Sequence, residues 1–401
     1  MEQCNAISFD GQKIYCGIDV HSKNWHLCLR LNNMELKTFQ VPADVARVID
    51  WLKRTFAGAE IHSVYEAGFS GFSAHRELVS AGIHNIVINP ADVPTTGKER
   101  VEKCDRTDCR KLARHLEDGS LTPIDVPSVE IENLRALIRR ETQIRNDSIR
   151  AANRLKSALR MRGDYAIPKS LTEKALQTLE EDLSREGQFA FVQALLSLIR
   201  HLRWLREERK RLVAAEREAA EKLGLMESVR LLTSIHGIAF RSAILLRAEL
   251  GDISRFKSRN NLAAYVGLAP HVYGSGEGEK DVASRNRKKK QLHYLLIQAA
   301  WVAVQKDPAM CAYYGHLLQK RRLKKTRAIV SVAKKMLMVV YAVLRDGKPY
   351  EPSRIFKENP AIEQIAPNSR RAAKCAEDAE KSLERLLSEE DAILALPVDL
   401  M

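Results

Sequence analysis

Over residues 14–30, IYCGIDVHSKNWHLCLR, β-prone apolar positions alternate with polar ones on both sides of HSKN. That pattern predicts two strands joined by a turn. KTFQV at 37–41 suits a third strand, and DVARVIDWLKRTF changes to helical spacing. IHSVYEAG reads as a strand ending at Glu66, and GFSAHRELVSAG as a helix with Gly82 past its end. IHNIVINP reads as a buried strand stopped by Pro90, and a further helix runs through CDRTDCRKLARHLEDG. Strands first, then strand and helix in alternation, predict a mixed α/β sheet covered by helices, over residues 1–125.

From 126 to 228 the pattern becomes purely helical. Leu134, Glu141, Ser148 and Leu155 recur every seven residues, interleaved with Leu137, Ile144, Ala151 and Ala158. In a second stretch Leu195, Leu202, Arg209, Glu216 and Leu223 interleave with Leu198, Leu205, Leu212 and Ala219. Both read as coiled-coil seams with a few polar core positions, separated by the turn region MRGDYAIPKSLTEK. An antiparallel hairpin, a pair of dimerisation helices and a plain amphipathic helical domain all fit. The acid and base at seam positions suit a register-selecting role.

Residues 229–355 form a third, mostly helical stretch. It opens with LLTSIHGIAFRSAILLRAELGD: helix, a hairpin at Gly237, helix. A helix start beside a glycine turn can hold a phosphate through backbone N–H groups; a simple packing element explains the same pattern. Residues 356–401 form a polar, then acidic tail with one amphipathic helical stretch, EKSLERLLSEEDAILAL.

Charge narrows the partner. The 401 residues carry a net +14, and twelve Lys/Arg against two Asp fall between Asp281 and Arg327. Such concentration favours nucleic acid first and an acidic membrane surface second. The longest apolar runs, LLIQAAWVAV and MLMVVYAVL, fall short of the ~20 residues a bilayer span needs. The N-terminus has no apolar signal-peptide core. Seven cysteines without a C-x-x-C pair offer neither a disulfide framework nor a zinc motif and suit a reducing cytoplasm.

Four carboxylates stand in suggestive places. Asp19 lies on the first strand, Glu66 ends a later one, and Asp105 and Asp108 share a helix face at i, i+3. Such a set can hold two divalent cations that stabilise both the attacking and the leaving oxygen at a phosphodiester. Solvated surface acids fit the same spacing. In YGSGEGEK, Ser275 sits between Gly274 and Gly276. Locally it reads as a loop spacer or as a nucleophile to which a backbone can come close. His21 and Lys23 have either a turn role or contact with metal or phosphate. Tyr313 and Tyr314 read as core aromatics or as base-stacking groups.

GIDVHSK, VYEAGFSGFSAHRELVSAG, VINP and CDRTDCRKLARHL resemble the N-terminal domain of the DEDD insertion-sequence transposases, the bridge-RNA-guided recombinases. LLTSIHGIAFRSAILLRAELGDISRFKSRNNLAAYVGLAPHVYGSGEGE, followed by LLIQAAW, resembles that family's C-terminal transposase domain. The resemblance covers roughly residues 14–350. It departs from the family's pattern at His236, Ala239 and Gly274.

The resemblance implies an RNase H-like (RuvC-like) first domain, with an acidic tetrad on Asp19, Glu66, Asp105 and Asp108 and Mg²⁺ or Mn²⁺ as cofactor. It implies Ser275 as the nucleophile of a phosphoserine intermediate, and a site composite across the protomers of a homodimer or tetramer. Substrates would be the element's DNA ends and its target, chosen through a structured guide RNA encoded by the element, in the cytoplasm at the nucleoid. Arg285, Arg287, Lys288, Lys289, Lys290, Lys320, Arg321, Arg322, Lys324, Lys325 and Arg327, with Lys23 and Gly237, would contact phosphates. Such contacts position a substrate and leave sequence choice to base pairing.

Overall fold

The computed structural model describes residues 9–94, 105–162, 167–185, 189–269, 271–273, 280–282, 289–319 and 321–358. They fall into two compact units, 1–126 and 127–401.

The first unit is the expected mixed sheet. Strands β1 (Lys13–Val20), β2 (Asn24–Leu31), β3 (Met34–Pro42), β4 (Glu60–Glu66) and β5 (His84–Ile88) lie in the order β3-β2-β1-β4-β5. The first three form an antiparallel meander, whereas β4 and β5 run parallel to β1. Asn32 and Asn33 make the β2–β3 turn with φ of 49° and 63°, a left-handed region that asparagine tolerates. Helices α1 (Val45–Thr55) and α2 (Ser73–Ser80) cover one face, burying Val48, Leu52, Ala74 and Leu78 against Ile14, Cys16, Ile18 and Leu27. Asp44 caps α1 by accepting from Arg47 N. Helix α3 (Asp105–Glu117) covers the other face with Cys109, Leu112 and Ala113. This is the RNase H-like arrangement the sequence led us to expect.

The second unit begins with an antiparallel hairpin of α4 (Val129–Arg162) and α6 (Phe189–Lys222), with α5 (Glu173–Ser184) packed beside it. Leu134, Ile144, Ala151, Leu155, Leu195, Leu202 and Leu205 are buried as the seven-residue pattern predicts. At four of the eight interleaved positions burial falls one residue further on: Ile138, Leu159, Ile199 and Ala220 are buried, and Leu137, Ala158, Leu198 and Ala219 only half-buried. Helix α5 explains part of this, since Leu176, Leu179 and Leu183 widen the buried stripe beyond a two-position seam. The polar seam residues meet as ions: Glu141 accepts from Arg209 Nε at 2.7 Å and also from Arg241, which lies 3.6 Å from Glu216.

Among the described residues seven further helices follow: α7 (Met226–Thr233), α8 (Phe240–Leu250), α9 (Arg259–Val266), α10 (Lys290–Lys306), α11 (Pro308–Gln319), α12 (Lys325–Asp346) and α13 (Pro352–Glu358). A two-stranded ribbon, β6 (His271–Tyr273) with β7 (Lys280–Val282), interrupts what the sequence pattern reads as helices and loop. One core joins these helices to the open end of the hairpin through Leu134, Ile138 and Ala220. Buried Arg135 strengthens the junction by donating to the carbonyls of Ala248 and Glu249, which end α8. Tyr313 and Tyr314 pack against this core. Among the described residues no helix is long and apolar enough to cross a membrane.

Candidate metal centre

The geometry of the first unit starts from Gly17. A Cβ there would lie 2.2 Å from the Cys109 carbonyl oxygen and 2.5 Å from Ala113 N, so only glycine lets the α3 backbone rest on β1. Strand alternation puts Asp19 on the same face two residues on. Arg30, which pairs with Tyr15 across β1 and β2, holds Glu117 at 2.6 Å, so α3 runs antiparallel to β1 and its first turn lies at the Asp19 end. The Cys109 thiol is pushed up to about 12, first by burial and then by Cys28 and Asp19, so it stays protonated as an uncharged floor beneath Asp19.

Parallel pairing of β1 with β4 ends at Ile18↔Tyr65, and Asp19 and Glu66 are the next residue on each strand. Val64, two residues before Glu66, packs with Leu112 of α3, so Glu66 shares the Asp19 face. Half-buried Asp108 precedes Cys109 in the first turns of α3. Asp105 opens that helix, and its side chain lies outside the described residues. The structure thus gathers Asp19, Glu66 and the start of α3 at the carboxyl end of adjacent parallel strands, where open α/β sheets bind ligands.

The β1–β2 hairpin adds two imidazoles. Asp19 pairs with His26 in register, and the His21 Nε2–H donates to Asp19 Oδ2 at 3.0 Å. Asp19, His21 and His26 each offer a ligand atom within 4.8 Å of the others. Hard carboxylate oxygens suit a divalent ion, and the imidazoles extend the donor set to nitrogen. His21 was legible as a neighbour of the acid. His26 was missed, although its signal lay in the sequence: a hairpin turning at HSKN places residue 26 opposite residue 19. Lys23 is exposed at that turn, and its carbonyl accepts from Ala43 N.

The other named residues lie in the second unit. Gly237 has φ +92°, and a Cβ on it would meet the Ala299 carbonyl oxygen at 2.4 Å; tight packing on α10 is what requires glycine there. Lys289 and Lys290 are exposed at the start of α10, with Lys289 Nζ 5.2 Å from the Tyr265 ring centre. Arg321, Arg322, Lys324, Lys325 and Arg327 are exposed where α11 passes to α12, and no side chain caps the start of α12. Arg322, Lys324, Lys325 and Arg327 thus crowd the positive end of a 22-residue helix, an arrangement that an anion would relieve. Ser275, Arg285, Arg287, Lys288 and Lys320 lie outside the described residues.

Comparison with known proteins meets both regions. A family profile for DEDD transposases of the IS110 type matches residues 16–161, and one described as "Transposase IS116/IS110/IS902 family" matches 229–315. A putative transposase, y4rJ, of Sinorhizobium fredii is 28% identical over 306 residues, 71% of this chain and 77% of that protein. The transposase for insertion sequence element IS1111A of Coxiella burnetii is 23% identical, covering 69% of this chain and 75% of its own. The pilin gene-inverting protein of Moraxella bovis is 31% identical over 123 residues, 30% of this chain and 38% of that protein.

Proposed function

We propose that this chain, a DNA transposase of the IS110/IS116 family, cuts and rejoins DNA through a phosphoserine on Ser275, with a divalent metal held in its first unit. The observation that carries the metal half is the convergence of Asp19, Glu66 and the first turn of α3 at the ends of two parallel strands. Asp19, Glu66, Asp105 and Asp108 would hold the ion, which when bound would supply charge stabilisation at the scissile phosphate. Ser275 Oγ would attack the phosphorus and displace one ester oxygen as a DNA hydroxyl. The ester so formed keeps the energy of the broken bond, so religation needs no nucleotide cofactor. Glycine carries no side chain, so Gly274 and Gly276 would let a DNA backbone come close to Ser275.

The basic start of α12, with Lys289 and Lys290, would neutralise phosphates without reading sequence. Sequence choice would then fall to an element-encoded guide RNA pairing with donor and target. Similarity to a protein whose name records gene inversion supports strand exchange between DNA sites rather than simple cleavage. A homodimer or tetramer would bring two such sites to one junction.

Denaturing gels test this reading. Wild-type protein with element-end DNA and guide RNA should give a protein–DNA adduct that disappears in Ser275→Ala and in Asp19→Asn. Metal-dependent cutting with no adduct, unchanged in Ser275→Ala, would instead mean water is the nucleophile and sink the serine mechanism.

A further inference from the structure

The β1–β2 hairpin supplies more than the acid the site needs. Asp19 and His26 are register partners on neighbouring strands, and His21 sits at the turn between them. Their ligand atoms lie within 4.8 Å of one another, with His21 Nε2 3.0 Å from Asp19 Oδ2. A divalent ion binds nitrogen and oxygen at ~2.0–2.2 Å, so neighbouring ligands of an octahedral ion stand ~3 Å apart and opposite ones ~4.2 Å. The spacing needs only small side-chain adjustments to close on one ion. The two rings are nearly perpendicular, at 89°, with centroids 6.1 Å apart, so neither ring stacks over the other. Half of the His21 side chain is exposed and 22% of Asp19 is, which leaves the group open to incoming ions.

Donor chemistry decides which ion. Mg²⁺ demands oxygen ligands and keeps its water, whereas imidazole nitrogen suits the borderline first-row ions. We propose that Asp19, His21 and His26 form a mixed carboxylate–imidazole site that takes a first-row transition-metal ion in preference to Mg²⁺. This rests on the metal reading of the same end of the sheet and sharpens it: the acids set where the ion sits, and the two histidines set which ion is kept. His21 and His26 are then metal ligands rather than turn and surface residues.

The test is a calorimetric titration of the full-length protein with Co²⁺ in a large excess of Mg²⁺, with the visible ligand-field absorption of the bound Co²⁺ followed in parallel. Wild type should bind Co²⁺ despite the Mg²⁺. His21→Ala and His26→Gln should each weaken Co²⁺ by at least about tenfold and change its absorption envelope, as loss of a nitrogen ligand requires. Circular dichroism melts report folding, and exposed His21 provides a variant that leaves the strands untouched. Co²⁺ binding that is unchanged in both histidine variants but lost in Asp19→Asn would overturn this inference and leave the carboxylate metal site standing. Binding unchanged in all three variants would overturn both. Mg²⁺ competing on equal terms with Co²⁺ in wild type would also overturn it.

Discussion

Gly17 shows how the candidate centre depends on an atom that is missing. Its absent Cβ is the space that the Cys109 carbonyl and Ala113 N occupy, so α3 approaches β1 backbone to backbone. Gly17→Ala must push the helix outward, because neither obstructing atom is the end of a flexible side chain. We expect a loss of about 1–3 kcal/mol, the usual cost of overpacking. Urea unfolding would read it as a lower midpoint with an unchanged slope. Recombination should fall as well, since Asp105 and Asp108 travel with the helix; unchanged stability would mean that α3 does not rest on β1. The acids could be read from the sequence because each sits at a strand end or on a helical i, i+3 face. His26 was harder to read, because pairing across a hairpin depends on register, and a one-residue slip would turn it to the opposite face.

At the scale of elements, the α4–α6 hairpin carries buried ions where a seam would carry leucines. Glu141 is fully buried between Arg209 and Arg241, of which 42% and 27% of the side chain remain exposed. Removing it takes from Arg209 and Arg241 the carboxylate they share and leaves Arg241 only the more distant Glu216, which for a fully buried pair costs ~3–5 kcal/mol. Solvent reaching both arginines lowers our expectation for Glu141→Ala to about 1–3 kcal/mol, read by denaturant unfolding. Glu216 behaves differently. Burial pushes its carboxyl from 4.5 up to about 7, with Arg209 opposing. The folded state therefore takes up a proton that the unfolded chain gives up near its ordinary value. Stability from this group is present below about 4.5 and is lost as pH rises through about 7. Between about pH 5.5 and about pH 8, Glu216→Gln should remove a downward slope of roughly 2 kcal/mol from the unfolding free energy. A wild-type profile no steeper than that of Glu216→Gln would show that Glu216 is ionised throughout. The seven-residue period identified these polar positions. It missed α5, and at interleaved positions 137, 158, 198 and 219 it fell one residue short of the buried side chain, because straight helices of 3.6 residues per turn drift from a repeat of 3.5.

For the whole molecule, the order of elements in the first unit followed from the sequence, because period-2 and period-3.6 stretches alternate there with clear breakers. The β6–β7 ribbon did not, since three-residue strands are too short to show a period. Charge was legible as a region but not as a surface. What the fold adds is that Arg322, Lys324, Lys325 and Arg327 stay exposed while half-buried Leu323 between them packs against the core. These cations sit at the end of α12 where the helix dipole already repels them. They cost the free protein stability, and a polyanion would repay that cost. Two results should therefore come together in the variant with all four changed to alanine. Its melting temperature should hold or rise slightly, since each exposed cation removed from the helix start relieves ~0.3–1 kcal/mol at low salt. Its duplex-DNA affinity should lose salt dependence, because each phosphate neutralised contributes ~0.9 to the slope of log K against log salt, for a total of up to about 3–4. Fluorescence anisotropy at several salt concentrations measures that slope. An unchanged slope with a lowered melting temperature would make the cluster a structural feature of the α11–α12 connection and move the nucleic-acid surface elsewhere on the chain.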